Sequence, residues 1–226
     1  MKMPESQPQF AYTEEQLTTL ESAISLERLT RYTTAANGDR RKAIRLYEQN
    51  TALSEALYGV LQGLEITLRN SIHNVLRSDL GRDDWYDHFA FEPWEEDSIQ
   101  KAKRAAAKHS PAPKSGKVIA ELSFGFWTGL ISKIYEKRLW VPHIYKAFPA
   151  HRVNRRMLYG RLNNIRNLRN RIAHHEPILG NHLEEEYKKI LEITRWIDPT
   201  TADWIASTNC FTERWRAASR RDGERV

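Results

Sequence analysis

Between Ala43 and Leu76, apolar side chains recur at helical spacing: Ala43, Leu46, Tyr47, Leu53, Leu57, Leu61, Leu64, Leu68, Ile72 and Leu76. That period marks one face of an α-helix, not one side of a strand, where every second residue shares a face. A helix with so long an apolar face must bury it against other elements. No convincing strand alternation occurs elsewhere in the chain, so the partners are expected to be helices. Asn50-Thr51 is a candidate break in this segment, and Leu80-Gly81 is its expected end.

The remaining segments carry helix signals too. Thr13-Glu14-Glu15-Gln16 reads as a capping box opening a first helix. Leu26, Leu29 and Tyr32 continue at helical spacing to a stop at Asn37-Gly38, and Asp39 caps the next helix. Trp85 to Pro93 is an aromatic-rich connector, followed by a charged helix from about Trp94 to Lys108. His109 to Gly116, with two prolines and a glycine, is a surface loop rather than a domain boundary, because composition does not change across it. Val118 to Ile131 reads as one central helix in which Gly125 and Gly129 let a neighbouring backbone approach. Trp140 to Pro149 is a second connector. A helix follows from about Arg152, with Leu158, Leu162, Ile165, Leu168 and Ile172 as its buried stripe and Pro177 as its stop. Further helices cover about His182 to Ile197 and the stretch from Pro199 into a basic tail. Trp85, Trp94, Trp127 and Trp140 sit among apolar neighbours and read as core rather than as a stacking platform. The expected fold is all-α: one domain over residues 1–226, a helical bundle with irregular connectors, its core at about 20–200 and a basic segment at 210–226.

Charged residues of both signs make up 28% of the 226 residues, which with abundant leucine and aromatics describes a folded chain. The formal charge of +6 suits a polyanion such as nucleic acid, although many basic proteins bind none. The lone Cys210 excludes an internal disulfide and a cysteine-built zinc site, and it reads as a small core residue. With no leader-like or membrane-length apolar run, a cytoplasmic protein with no membrane association is expected.

Chemistry concentrates in Leu168-Arg169-Asn170-Arg171-Ile172-Ala173-His174-His175-Glu176-Pro177. Asn170 and His174, four apart, share a helical face, while Arg169 and His174 are separated by about 140° around the axis. An arginine stem can bend across that angle, so guanidinium and imidazole can address one bound group. A phosphodiester is the natural candidate, since it needs a fixed cation and a side chain that moves protons near neutral pH. The bland alternative keeps both histidines as helix-terminal cations and pairs Glu176 with Arg171 or Arg169 on the surface.

Arg169-Asn170, followed after three residues by His174, resembles the Arg-Asn-x-x-x-His signature of the HEPN superfamily of helical ribonucleases and RNA-associated domains. The wider pattern is similar to its Abi-like (abortive infection) branch. The blocks that carry it are Leu26-Glu27-Arg28-Leu29, Ala43-Ile44-Arg45-Leu46-Tyr47, Leu64-Glu65-Ile66-Thr67-Leu68-Arg69-Asn70, Leu122-Ser123-Phe124-Gly125-Phe126-Trp127 and Arg171 to Pro177, in order over about residues 20–200. The resemblance implies a homodimer whose motif helices face each other across a basic cleft, and RNA cleavage without metal or cofactor. It places Arg169 and His174 at catalytic positions with Asn170 between them, in a phage-defence effector or a toxin held by an antitoxin protein or small RNA.

By this reading His174 exchanges protons with the ribose 2′-hydroxyl or the leaving 5′-oxygen, Arg169 holds the phosphoryl oxygens, and Asn170 orients one of them. Arg171, His175 and Glu176 support the motif, the last two by setting the tautomer of His174. Glu65, Arg69 and His73 form a second polar cluster on the long helix. Glu65 and Arg69 read as a structural ion pair behind the motif helix, with Arg69, His73 and Arg166 as candidate RNA contacts. Two rival readings stay open: an RNA-binding module that does not cleave, and a protein-interaction component of a defence or toxin–antitoxin pair.

Overall fold

A computed structural model of the chain describes residue 10 and residues 12–108, 114–180 and 182–223, with side chains through 218. Among these residues the fold is all-α, without a strand. The chain divides into two compact units, one up to Leu53 and one from Ser54 onward.

In the first unit the expected capping box forms: the Gln16 backbone donates to the Thr13 hydroxyl at 3.3 Å, and the Thr13 backbone donates to the Gln16 side chain at 2.9 Å. It opens α1 (Glu14–Ile24). Where periodicity suggested one continuous helix, Ser25 adopts φ 80°, ends α1 and caps α2 (Leu26–Ala35) by accepting from the Arg28 backbone at 3.3 Å. Asn37 and Gly38, both at positive φ, stop α2 as expected, and Asp39 accepts from the Lys42 backbone at 3.0 Å to open the next helix. Arg40 clasps Glu21 at 2.7 Å, and its guanidinium holds the Glu21 carboxyl below the usual carboxylate range.

Helix α3 (Arg40–Leu80) is unbroken through Asn50-Thr51. The Thr51 hydroxyl folds back onto the Tyr47 carbonyl at 3.1 Å, and Asn50 is buried at 4% exposure, so neither residue competes with the helical ladder.

In the second unit Leu57, Leu61, Leu64, Leu68, Ile72 and Leu76 of α3 form one side of the core, together with the fully buried Trp85 and Trp127. Helix α4 (Pro93–Ala107) follows the aromatic connector. The expected central helix is two, α5 (Ser115–Glu121) and α6 (Phe124–Gly129). Leu122 is extended between them, its carbonyl accepts from the Trp127 indole at 3.3 Å, and the Ser123 hydroxyl caps α6 through the Phe126 backbone at 3.3 Å. Ser115 and Gly116, placed in a loop by sequence, are already helical, while residues 109–113 of that loop lie outside the described residues. The motif helix α7 (Arg155–Ala173) starts later than expected because Asn154 caps it, accepting from Met157 at 3.0 Å. Its stripe of Leu158, Leu162, Ile165, Leu168 and Ile172 is buried as read from the sequence.

Helices α8 (Leu183–Ile197), α9 (Pro199–Thr208) and α10 (Phe211–Gly223) complete the unit. Cys210 is half-buried at the start of α10. Of the basic tail, Arg214 pairs with Glu55 at 3.0 Å; the side chains of Arg220, Arg221 and Arg225 lie outside the described ones. No helix among the described residues is long and apolar enough to cross a membrane.

Helices α3 and α9 approach closely at Gly63, where a Cβ would lie 2.4 Å from Ile205 Cδ1 and 2.9 Å from its Cγ1. Gly63→Ala gains helix propensity of about 1 kcal/mol, but overpacking against this buried isoleucine costs about 1–3 kcal/mol. Urea unfolding should therefore show Gly63→Ala less stable than wild type, with Ile205→Ala partly cancelling that loss in the double variant. Strict additivity of the two losses would contradict the close approach.

Candidate functional site

The stripe that seats α7 on the core leaves Arg169 at its margin and Asn170 and His174 exposed. Pro177 does not end this helix. It closes three residues earlier in a Schellman arrangement: the His175 backbone donates to Ile172 at 3.0 Å, and the Glu176 backbone donates to Arg171 at 2.8 Å. This closure needs a left-handed residue after the cap, and His175 fills it at φ 55° where glycine is commonest. The contact that usually joins the two ends of the motif is here an ion pair, Arg171 Nε to Glu176 Oε2 at 3.6 Å, and Arg171 also donates to the Pro177 carbonyl. Arg171, His175 and Glu176 thus shape the helix end that carries His174. Of the two bland pairings open from sequence, Glu176 takes Arg171.

Glu65 does not pair with Arg69. Its carboxylate lies 3.6 Å from Arg169 Nε, joining α3 to the motif helix, with side-chain exposures of 23% and 40%. Position explains the choice: on α3, Glu65 borders the buried stripe, and Arg169 borders the stripe of α7 that packs in the same core. Arg69, one turn on, donates instead to the Asn70 side chain at 3.3 Å. Arg166, half-buried, lies one turn before Arg169 on the same flank and has no ion-pair partner among the described residues.

His73 points to the core side of the cluster. Its Nδ1 accepts from the Trp85 indole at 2.9 Å, which fixes the neutral ring with the proton on Nε2. Burial first, then the Arg77 guanidinium, holds its pKa below the ordinary histidine value.

A groove of about 800 Å³ runs beside α3 and α9 and is lined by Gln62, Ile66, Asn70, Asn74, Thr201 and Trp204 among others. None of Arg169, Asn170 and His174 lines it. Among the described residues, no group of three or more His, Cys, Asp or Glu is placed to hold a metal ion.

Two features escaped the sequence. Nothing local signals that Glu65 reaches across to Arg169, because its spacing of four from Arg69 points to an intrahelical pair. Trp94 was read as core but is 51% exposed. Pro93 at the helix start was the available signal, since it puts Trp94 in a first turn open at one end.

The second unit is thus a helical body presenting an arginine, an amide and a histidine on the last turn of a well-buried helix. The chain belongs to the Abi-like protein family, whose model matches residues 16–179. No curated protein and no solved structure gave a match.

Two expectations follow. An L-residue in left-handed conformation costs about 1–2 kcal/mol more than glycine, and a β-branched one costs more than histidine, so thermal unfolding should rank His175→Gly at or above wild type and His175→Val below it; a valine variant as stable as wild type would contradict the helix closure. His73 has a folded pKa below its unfolded one, so the unfolded chain binds the extra proton and stability falls as pH drops through the unfolded value of about 6.5. Denaturation between pH 7.5 and 5 should lose part of this slope in His73→Gln; an unchanged slope would show that His73 does not contribute.

Proposed function

We propose that the protein is an endoribonuclease of the HEPN superfamily that cuts RNA by attack of the ribose 2′-hydroxyl on the adjacent phosphodiester, without a metal ion. The observation that carries this reading is the last turn of α7, where Arg169 is held by Glu65 while Asn170 and His174 stay exposed. In the reaction the O2′–P bond forms and the P–O5′ bond breaks. His174 takes the 2′-hydroxyl proton or delivers one to the leaving 5′-oxygen, and water exchanges the other. Arg169, always charged and forked, holds the non-bridging oxygens as charge builds on them. Asn170 hydrogen-bonds the phosphate or the imidazole. Because the nucleophile belongs to the substrate, DNA is inert.

Membership of the Abi-like family supports a setting in abortive infection, phage defence or toxin action. We place the working enzyme in a homodimer with its motif helices facing across the RNA, restrained by an antitoxin protein or small RNA.

The test is incubation with total RNA in EDTA. Wild type should leave 2′,3′-cyclic phosphate and 5′-hydroxyl ends. His174→Ala should cut at least about 100-fold more slowly while still binding RNA, and Arg169→Ala should lose both. Products ending in 3′-hydroxyls, or full cleavage by His174→Ala, would overturn the mechanism. Wild-type protein that binds RNA without cutting is a binding module; protein that binds none at low salt is a protein-interaction component.

A further inference from the structure

The segment Ser123-Phe124-Gly125-Phe126-Trp127, singled out by sequence, has no part in the cleavage step, yet it lies beside the motif helix: α6 packs on both α4 and α7. Its glycines make room for a side chain, not for a backbone as the sequence suggested. A Cβ on Gly125 would lie 3.4 Å from Trp94 Cη2 and 3.8 Å from Arg166 Cδ, and one on Gly129 would lie 3.8 Å from Trp94 Cζ3 and 3.0 Å from Glu95 Oε1. The benzo edge of the Trp94 indole therefore rests on α6 between these glycines, with the Arg166 stem beside it, while half of the residue faces solvent.

The helix start that carries this indole is held in place. The Glu92 backbone donates to the Tyr135 hydroxyl at 2.9 Å, and that hydroxyl donates to the buried Glu95 carboxylate at 2.9 Å. Residues on both sides of Trp94 are thus tied to one buried ring, whose hydroxyl pKa burial raises to about 12. An aromatic side chain on an anchored backbone loses less conformational entropy on binding than one on a mobile loop. Arg166 precedes Arg169 by three residues, a rise of about 4.5 Å along one flank of α7, so the arginine whose stem lies beside the indole is one helical turn along from the arginine assigned to the scissile phosphate.

Resting on the ribonuclease reading above, we propose that Trp94 is a stacking surface for an unpaired base next to the scissile phosphate, with Arg166 gripping the phosphate of that nucleotide. A side chain at Gly129 would press on the Glu95 carboxylate at 3.0 Å, whereas one at Gly125 would meet the indole at ordinary contact distance. The substrate is then single-stranded RNA, whose bases are free to leave their neighbours; paired bases cannot reach the indole.

The test measures binding by fluorescence anisotropy in the His174→Ala background, where RNA is not consumed. The probes are a labelled single-stranded RNA and its fully paired duplex. Trp94→Ala should weaken single-strand binding about 10-fold and leave duplex binding unchanged, and Trp94→Phe should restore most of the loss. Arg166→Ala should weaken both and flatten the salt dependence. Equal single-strand binding by Trp94→Ala and its parent overturns the stacking role, and if wild type still cleaves RNA the ribonuclease reading survives. Equal weakening on single strand and duplex also overturns it, as does a sole change in sedimentation, which would assign the indole to a protein interface. Absence of any RNA binding at low salt overturns both proposals.

Discussion

The contact between Glu65 of α3 and Arg169 of α7 is the interaction on which the site depends. Its contribution to stability is small: both side chains are partly exposed, and pairs of that kind are worth about 0–1 kcal/mol. Its consequence is directional. A free arginine at the margin of α7 has several rotamers, and a carboxylate on the neighbouring helix selects among them. The same carboxylate offsets part of the positive field that a phosphate would feel, so orientation is gained at some loss of attraction. Arg166 on α7 and Arg69 on α3, neither ion-paired among the described residues, keep positive charge on the two helices that this pair joins.

The second constraint is the way α7 ends. A left-handed residue directly after the cap turns the chain away and leaves the cap residue, His174, on an exposed corner. Histidine is a costly occupant of such a position compared with glycine. Arg171 and Glu176 secure the turn from either side. Arg171, His175 and Glu176, which the sequence offers as supporting residues, secure the backbone that displays His174.

Much of this was legible in the sequence, and the boundary of legibility is physical. The Thr13 capping box, the Asp39 cap and the stripes of α3 and α7 are local patterns, and each appears where the residues placed it. Breaks made by a single backbone angle were not visible: Ser25 at φ 80° and the extended Leu122 carry ordinary residue types. The Asn50-Thr51 break failed for the opposite reason, since two polar residues found bonds or burial that a helix tolerates. At the site, the motif and its helix were readable, but the partner of Glu65 and the exposure of Trp94 depend on which helices meet. That information is not contained in spacing along one helix.

Family membership, an exposed histidine and a braced arginine all bear on one claim: two side chains of α7 act on one phosphodiester. The most direct measurement is a crystal structure of the wild-type protein bound to a short single-stranded RNA methylated at every 2′-oxygen, which cannot react. The account predicts one phosphate within hydrogen-bonding distance of both the Arg169 guanidinium and the His174 imidazole. If the two groups hold different phosphates, or the RNA lies elsewhere on the protein, the account is wrong.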